Sequence, residues 1–305
     1  MRKQRPEGYE ALEKPEAPAK RKKSMKPGSF PYIWKGVSKN AWAMVGLAFI
    51  VLILLLSFLS PYILKYDYWT VNMRIRYTKP NADHLFGCDE LGRDILARVL
   101  YGARFTLAIG FGAVAISATI GMALGAVAGY LGGKVDAILM RVLDVIQSFP
   151  GLIFAIAIAT MLGSGIINTI LAIGIAFMPP FARMMRANII SIRGSEYIEA
   201  AHAINCPTSR IIFKYLIQNT VSPLIVMISL QIAQAGLTAS MLSFLGLGVK
   251  EPNPEWGTMI AMSRQFIRDY PHMVVIPGLF IMVTVLSLNL IGDAIRDALD
   301  PKLRN

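Results

Sequence analysis

The sequence predicts an all-α, polytopic membrane protein with six transmembrane helices, and three observations support this fold class. Of the 305 residues, 54% are hydrophobic, and the mean hydropathy is +0.50, which soluble domains seldom reach. Uninterrupted apolar runs recur, and a helix of about 20 such residues crosses a hydrocarbon layer of about 30 Å. Lysine and arginine are distributed unevenly between the segments that connect these runs.

The first span is predicted at Ala41–Ser60, which has no charged residue and carries Trp42 and Tyr62 near its ends, as interfacial aromatic residues do. Together with an extracytoplasmic segment it forms a unit over residues 41–104. A core domain of five helices is predicted over residues 105–291. Its spans are expected at 105–130, 145–162, 166–178, 220–248 and 273–291.

Three local signals refine these boundaries. In the extracytoplasmic segment, Asp89 and Glu90 are expected to cap a short helix over Leu91–Tyr101. Pro150 is expected to kink or start the third span, with Ser148 as a cap. Pro179 and Pro180 are expected to break the fourth span. Residues 292–305 are predicted to form a short cytoplasmic tail.

The basic residues predict that both termini are cytoplasmic. On this topology 21 lysines and arginines lie on the inner side and 9 on the outer side, as the positive-inside rule requires. Residues 1–40 hold 11 of the 31 and are predicted to be a largely disordered cytoplasmic tail. The net charge of +12 could suggest nucleic acid, but no aromatic residues interleave with Arg21–Lys23, so no nucleic-acid partner is predicted.

Small residues recur every fourth position along the second predicted span. They form a ridge that would let a neighbouring helix approach closely, so they are predicted to pack helices rather than to bind a substrate. The ridge consists of Ala113, Ser117, Gly121, Gly125 and Gly129.

The segment Ser191–Asn219 is the longest polar interruption in the second half of the chain, and it predicts two short helices. Ser195 can cap the first helix, whose first turn then holds Glu196 and Glu199 near the positive end of the helix dipole. Helical spacing predicts one face shared by Tyr197, Ala201 and Ile204, and another by Glu196, Glu199 and Ala203.

The boundary between these two helices is also predicted from residue types. Asn205 stands where a left-handed residue ends a helix, and Pro207 can occupy the first position of the next helix.

The sequence lacks the residue patterns that are typical of an enzyme or of an ion-driven carrier. The predicted spans hold no charged residue or histidine in their interiors, and ion-coupled carriers usually need such groups. Gly132-Gly133-Lys134 is not a phosphate loop, because Val135 replaces the required serine or threonine. We therefore assign no catalytic residue. A self-contained channel or secondary carrier and a membrane-embedded enzyme remain alternatives.

Histidine and cysteine suggest neither a metal centre nor a disulfide. His84, His202 and His272 are far apart in sequence, and solvated or capping roles are expected for them. Cys88 and Cys206 are predicted on opposite sides of the membrane, so they cannot pair. A thiol reagent that cannot cross membranes is expected to label Cys88 but not Cys206.

The sequence also resembles a known family. Glu199-Ala200-Ala201, then three residues and Asn205, resembles the Glu-Ala-Ala-x-x-x-Gly motif in permease subunits of ATP-binding-cassette (ABC) importers, with Asn205 in place of the glycine. Leu216-Ile217-Gln218 stands where the family often has Ile-Leu-Pro. The segments His84–Leu107, Ser243–Ile260 and GDAIRDALDPKL from Gly292 resemble the dipeptide, oligopeptide and nickel branch.

The resemblance implies a type I ABC importer permease fold in a bacterial cell membrane. It implies import of peptides, with nickel or another small solute as the alternative cargo, and a separate ATPase. The implied partners are a second homologous permease, two ATP-binding subunits that hold ATP and Mg²⁺, an extracytoplasmic substrate-binding protein and membrane lipid. This chain would hold no cofactor. The residues implied in coupling to the ATPase are Glu199, Ala200, Ala201 and Asn205, whereas no substrate-binding residue is assigned.

Overall fold

The computed structural model describes residues 30–299, except for the side chains of Phe30 and of several residues between 202 and 222. The predicted terminal tails, 1–40 and 292–305, therefore lie partly outside the described residues. In chain order the helices are α1 (Phe30–Val37), α2 (Ala41–Ile63), α3 (Ile95–Leu131), α4 (Gly133–Gln147), α5 (Gly151–Leu162), α6 (Ile166–Ala176), α7 (Met178–Arg193), α8 (Glu196–Ala203), α9 (Thr208–Arg210), α10 (Ile217–Phe244), α11 (Trp256–Ser263) and α12 (His272–Leu299). A π-helical segment, Ile211–Leu216, joins α9 to α10.

Four of these helices, α2, α3, α10 and α12, are individually long and apolar enough to cross a membrane. Two further candidates are bent pairs: α4 and α5 meet at 89°, and α6 and α7 meet at 42°. Within residues 30–299 the count therefore reaches the predicted six when each bent pair is taken as one span.

The start of α3 differs from the predicted cap. Asp94, rather than Asp89 or Glu90, caps the helix, because its Oδ1 accepts the Ala97 N–H at 2.8 Å. No helix begins at Leu91, since the chain turns at Gly92 with a φ of +72°. From Ile95 the helix continues to Leu131 without a break. The short outer helix and the second span are thus one element.

The third predicted span is interrupted where the sequence suggested only a kink or a start. The Ser148 hydroxyl donates to the Val145 carbonyl oxygen at 2.7 Å and so closes α4, instead of capping α5. Pro150 immediately precedes α5. Because residues on both sides of the break are apolar, hydropathy alone could not separate the two helices.

The fourth predicted span breaks next to its prolines, as expected, and the prolines lie at the start of the helix that follows the break. Pro179 and Pro180 occupy the first turn of α7, where a missing N–H removes no helical hydrogen bond. Helix α7 then extends to Arg193, well beyond the predicted end of the span.

The ends of the chain are more ordered than predicted over the residues that the structure describes. Helix α1 lies within the predicted N-terminal tail, and α12 continues through Gly292 to Leu299. Val37, Ala43 and Ala294 form a small apolar cluster that holds these two segments together. The predicted tail 292–305 therefore begins as part of α12.

The ridge of small residues lies where α3 meets α7 and α6. A Cβ atom added to Gly121 would lie 2.6 Å from the Met178 carbonyl oxygen, and one added to Gly129 would lie 3.0 Å from the Arg186 carbonyl oxygen. At Gly125 an added Cβ would collide with the Ala182 carbonyl oxygen. Ala113 and Ser117 are fully buried on the same ridge.

Candidate functional site

Helix α8 follows α7 after two residues, Gly194 and Ser195, and Ser195 immediately precedes its first residue. The backbone N–H groups of Ile198 and Glu199 donate to the Ser195 carbonyl oxygen at 2.9 and 3.1 Å. The Ser195 hydroxyl itself donates to the Ile192 carbonyl oxygen at 2.7 Å and closes α7. Ser195 thus occupies the predicted capping position, but its side chain serves the preceding helix.

Asn205 ends α8 in the left-handed conformation that the sequence predicts, with a φ of +52°. The Cys206 N–H then donates to the Ala201 carbonyl oxygen at 3.0 Å, which is the bond expected after a left-handed stop residue. Pro207 lies one residue before α9, not at its first position as predicted, and its carbonyl oxygen accepts the Arg210 N–H at 2.9 Å.

The buried face of α8 holds one residue, Ala201, of the predicted Tyr197, Ala201 and Ile204 face. Ile198 and Ala201 pack into an apolar cluster with Met185 and Ile189 of α7, whereas Tyr197 is 44% exposed and Ile204 is 78% exposed. The remainder of this cluster consists of Ala126, Ile211, Leu216 and Leu224. The side of the helix that faces the protein is therefore the one that carries Ile198 and Ala201.

The exposed side of α8 forms what we call the α8 surface, defined as Glu196, Glu199, Ala200, Ile204 and Asn205, all of which are exposed. Three of the four residues implied in coupling lie on it. The fourth, Ala201, is buried against α7 and helps to hold α8 in place. Carboxylates in the first helical turn are favoured by the exposed N–H groups there, and they give this surface its negative charge.

A second polar assembly, which we call the outer ion cluster, lies at the start of α3 and was not predicted from the sequence. It consists of Asp89, Arg93, Arg98 and Glu251. Arg93 bonds to Asp89 Oδ2 and to Glu251 Oε2 at 2.6 Å each, and Arg98 bonds to Glu251 Oε1 at 2.9 Å. Both arginines are almost completely buried. The cluster fixes the loop after α10 to the start of α3.

Groups beside the outer ion cluster are buried as well. Burial, and next the charge of Asp89, raises the pKa of the Glu90 carboxyl above its ordinary value. His84 is buried rather than solvated, as its Nδ1 lies 2.9 Å from Asp94 Oδ2 and its ring stacks on Tyr66 at 4.4 Å. The mixed charges in DELGRD are a sequence signal that could have indicated ion pairing, but not burial.

Glu255, predicted only as part of an outer loop, is fully buried. Its Oε1 accepts the hydroxyls of Thr106 at 3.1 Å and Ser240 at 3.2 Å, and its Oε2 accepts the Thr258 N–H at 3.0 Å. It therefore caps α11 and joins that helix to α3 and α10. The available sequence signal was an acidic residue directly before the apolar segment WGTMI.

An open apolar groove of about 370 Å³ lies next to Glu255. Helices α5, α10, α11 and α12 all contribute to it. Its lining includes Leu152, Leu237, Ser240, Met241, Phe244 and Ile260. The side chains in this groove are apolar apart from the Ser240 hydroxyl, so it suits contacts of low charge.

Two families match this chain by sequence. Residues 121–305 match the family described as "binding-protein-dependent transport system inner membrane component". Residues 30–80 match the family described as "N-terminal TM domain of oligopeptide transport permease C".

Individual relatives align along nearly the whole chain. A dipeptide transport system permease protein of Alkalihalophilus pseudofirmus is 42% identical, with 89% of this chain and 90% of the relative covered. A di/tripeptide transport system permease protein of Pseudomonas aeruginosa is 39% identical, with 95% and 97% covered. A glutathione transport system permease protein of Pectobacterium atrosepticum is 38% identical, with 89% and 91% covered.

The fold itself is similar to a solved structure, the MetNI methionine ABC transporter in an inward-facing conformation. The TM-score is 0.54 at 17% identity, and the match covers 67% of this chain and 96% of the other. This likeness supports the predicted type I importer permease fold. Taken with the two family matches, it shows that the chain belongs to the binding-protein-dependent transport system inner membrane components, as an ABC importer permease of the dipeptide and oligopeptide branch, a bacterial inner-membrane transport subunit that is not itself the ATPase.

Proposed function

We propose that this permease forms half of the translocation pathway of an ATP-driven importer for short peptides, with a second, homologous permease as the other half. The substrate class is supported by the relatives, whose names specify dipeptides, di- and tripeptides and glutathione. The apolar groove of this chain also supports peptides as the substrate class, because walls that make few charged contacts can accept peptides of varied sequence.

We further propose that the α8 surface contacts one of two cytoplasmic ATP-binding subunits, which hold ATP and Mg²⁺. The observation that carries this proposal is the two-sided construction of α8. Ile198 and Ala201 fasten the helix to α7, while Glu199, Ala200 and Asn205 face outward on a short, well-defined projection. An extracytoplasmic substrate-binding protein delivers the peptide on the other side, and both termini lie in the cytoplasm.

In this mechanism the chain contributes motion rather than chemistry. ATP binding brings the two ATP-binding subunits together, and the α8 surface moves with the subunit that holds it. Because α8 is packed on α7, the displacement enters the membrane domain through α7 and opens the pathway outward. Hydrolysis and product release reverse the displacement.

The experiment that tests the coupling role is Glu199→Arg in the complete importer, reconstituted into vesicles with its binding protein. We expect the complex to assemble and ATP to be hydrolysed, while peptide uptake per ATP falls by about tenfold or more, equivalent to roughly 1.4 kcal/mol of lost coupling. The reversed charge opposes a contact that the carboxylate of Glu199 would make.

Asp83→Arg is the matched control, because it makes the same change at an exposed acid of the outer segment. It is expected to leave uptake per ATP unchanged. Uptake by Glu199→Arg equal to that of the unmodified importer would reject the coupling role of the α8 surface. Dipeptide, tripeptide, glutathione and nickel uptake measured in the same vesicles would identify the cargo.

A further inference from the structure

Helix α4 is attached to α7 by two ion pairs. Arg186 Nη2 lies 2.6 Å from Asp136 Oδ2, and its Nε contacts the other carboxylate oxygen, so this pair is bidentate. Arg183 Nη2 lies 2.6 Å from Asp144 Oδ1. Asp136 and Asp144 are the acidic residues of α4, and both are used in this way.

Little apolar packing accompanies these pairs. Of the α4 residues, which the structure describes throughout, Leu143 alone is buried. Val135, Ile138, Val142 and Val145 are exposed. A helix held by one buried side chain owes its position to its covalent connections and to its ionic contacts. The ion pairs therefore determine how α4 sits against α7.

Helix α7 is joined firmly to α8. Met185 and Ile189 of α7 share a buried cluster with Ile198 and Ala201 of α8. Near the end of α7, the Arg193 Nη1 donates to the Gly129 carbonyl oxygen at 3.0 Å, which satisfies one of the last carbonyl groups of α3. The α8 surface is therefore connected to α7 by direct side-chain packing as well as by the chain.

Helix α4 is connected to the wall of the apolar groove through α5. After the 89° bend at residues 148–150 comes α5, and Leu152 in its first turn lines the groove. A change in the position of α4 therefore reaches the groove wall through a short, bent connection.

We propose that Arg186 and Asp136 are positioning residues for transport, acting as the link that makes α4 and α5 follow α7 when α8 is displaced. This inference rests on the proposed coupling role of the α8 surface and assigns the next step inside the membrane domain. A bidentate guanidinium–carboxylate pair suits such a link, because two parallel bonds fix orientation as well as distance.

The second ion pair provides an internal control. The side chains of Arg186 and Asp136 are 34% and 17% exposed, whereas those of Arg183 and Asp144 are 45% and 49% exposed. The more exposed pair, Arg183 with Asp144, is more strongly screened by water and salt and makes a single bond. It should therefore transmit less of a displacement of α7 to α4. The two pairs join the same helices with the same chemical groups.

The test compares Asp136→Arg, Arg186→Asp and the double variant D136R/R186D in the reconstituted importer. Each single change places like charges together, and the double change restores an ion pair with reversed polarity. We expect each single variant to hydrolyse ATP but to lower peptide uptake per ATP by about fivefold, and the double variant to regain most of it. Peptide uptake per ATP should change by less than about twofold in D144R, in R183D and in their double variant.

Assembly and thermal unfolding of the complex are measured alongside, so that loss of structure is separated from loss of coupling. Single variants with an unchanged uptake per ATP would overturn the inference. A double variant that assembles with normal stability but stays uncoupled would overturn it as well. Glu199→Arg in the same vesicles separates the two proposals: if it uncouples transport and the Asp136 variants do not, only the internal link fails, whereas a fully coupled Glu199→Arg rejects the α8 surface itself.

Discussion

Glu255 is one buried side chain that connects three helices of this permease. Its carboxylate lies between α3, α10 and α11, and its described hydrogen-bond donors are two hydroxyls and one backbone N–H. A buried carboxylate is costly unless its oxygens are hydrogen-bonded, and here both oxygens accept such bonds. The residue is thus an organising contact between three helices.

Replacement of Glu255 by alanine should destabilise the protein. It would leave Thr106, Ser240 and the Thr258 N–H without their buried acceptor, at about 1–3 kcal/mol for each group that stays unsatisfied. We expect a lower midpoint of thermal unfolding in detergent, with a smaller decrease for Glu255→Gln, which keeps one acceptor oxygen. Asp67→Ala, at an exposed acid, is the control. A Glu255→Ala protein as stable as the control would contradict this role.

The end of α8 at Asn205 could be predicted from sequence, whereas the contacts of Glu255 and of the outer ion cluster could not, because those contacts join residues far apart in the sequence. Asn205 ends a helix through its own backbone conformation, so the residue type and its neighbours suffice. Arg98 and Glu251 are 153 positions apart, and nothing local shows that they meet. The ion pairs of α4 with α7 likewise depend on the tertiary arrangement.

Among the helices, proline was the main source of wrong boundaries, because its effect depends on its position. Pro61 lies within the last turn of α2, Pro150 precedes α5, and Pro179 begins α7 with Pro180. All four lie within or beside apolar segments, so hydropathy shows that a span is present but not where its helices begin and end. The six spans, with each bent pair taken as one, and a break near Pro150 and near Pro179 were therefore predictable, whereas the bounds of the helices beside each break were not.

The close contact between α3 and α7 predicts that a larger residue at Gly125 destabilises the protein. Gly125→Ala would place a methyl group against the Ala182 carbonyl oxygen and force the two helices apart, a cost of about 1–3 kcal/mol for overpacking. Gly278→Ala is the matched control, since a Cβ there meets only the Ile260 Cδ1 at 4.0 Å. We expect Gly125→Ala to lower the unfolding temperature and peptide uptake, and Gly278→Ala to change neither. Equal behaviour of the two variants would show that α3 and α7 can separate without penalty.

Across the whole molecule, the two halves differ in how their polar groups are held. In the half that holds the outer ion cluster, Arg93, Arg98 and Glu255 are buried and bonded. In the other half, the ion pairs between α4 and α7 are partly exposed, and the α8 surface is open. Opening energies are lower where contacts are few and solvated, so movement is expected in the half that carries the α8 surface, which is proposed to be cytoplasmic and to receive the force.

The orientation of the whole chain is tested by thiol labelling, but the native cysteine predicted to serve as the outer reporter cannot do so. Cys88 is completely buried, and burial, followed by the charges of Asp94 and Asp89, raises the pKa of its thiol to about 12. The thiolate is the reactive form, so Cys88 stays protonated and inaccessible near neutral pH. The expectation that an impermeant reagent labels Cys88 is therefore wrong, even with the predicted topology.

Introduced cysteines at exposed positions make the test decisive. Ala82→Cys lies in the outer segment, and Lys134→Cys lies at the start of α4. If the termini are cytoplasmic, an impermeant maleimide should label Ala82→Cys in intact spheroplasts, and it should label Lys134→Cys only after the membrane is permeabilised. The unmodified protein should react weakly before permeabilisation, because its outer thiol is buried. The reverse pattern would invert the orientation and move the α8 surface to the outer side, where no ATP-binding subunit could reach it.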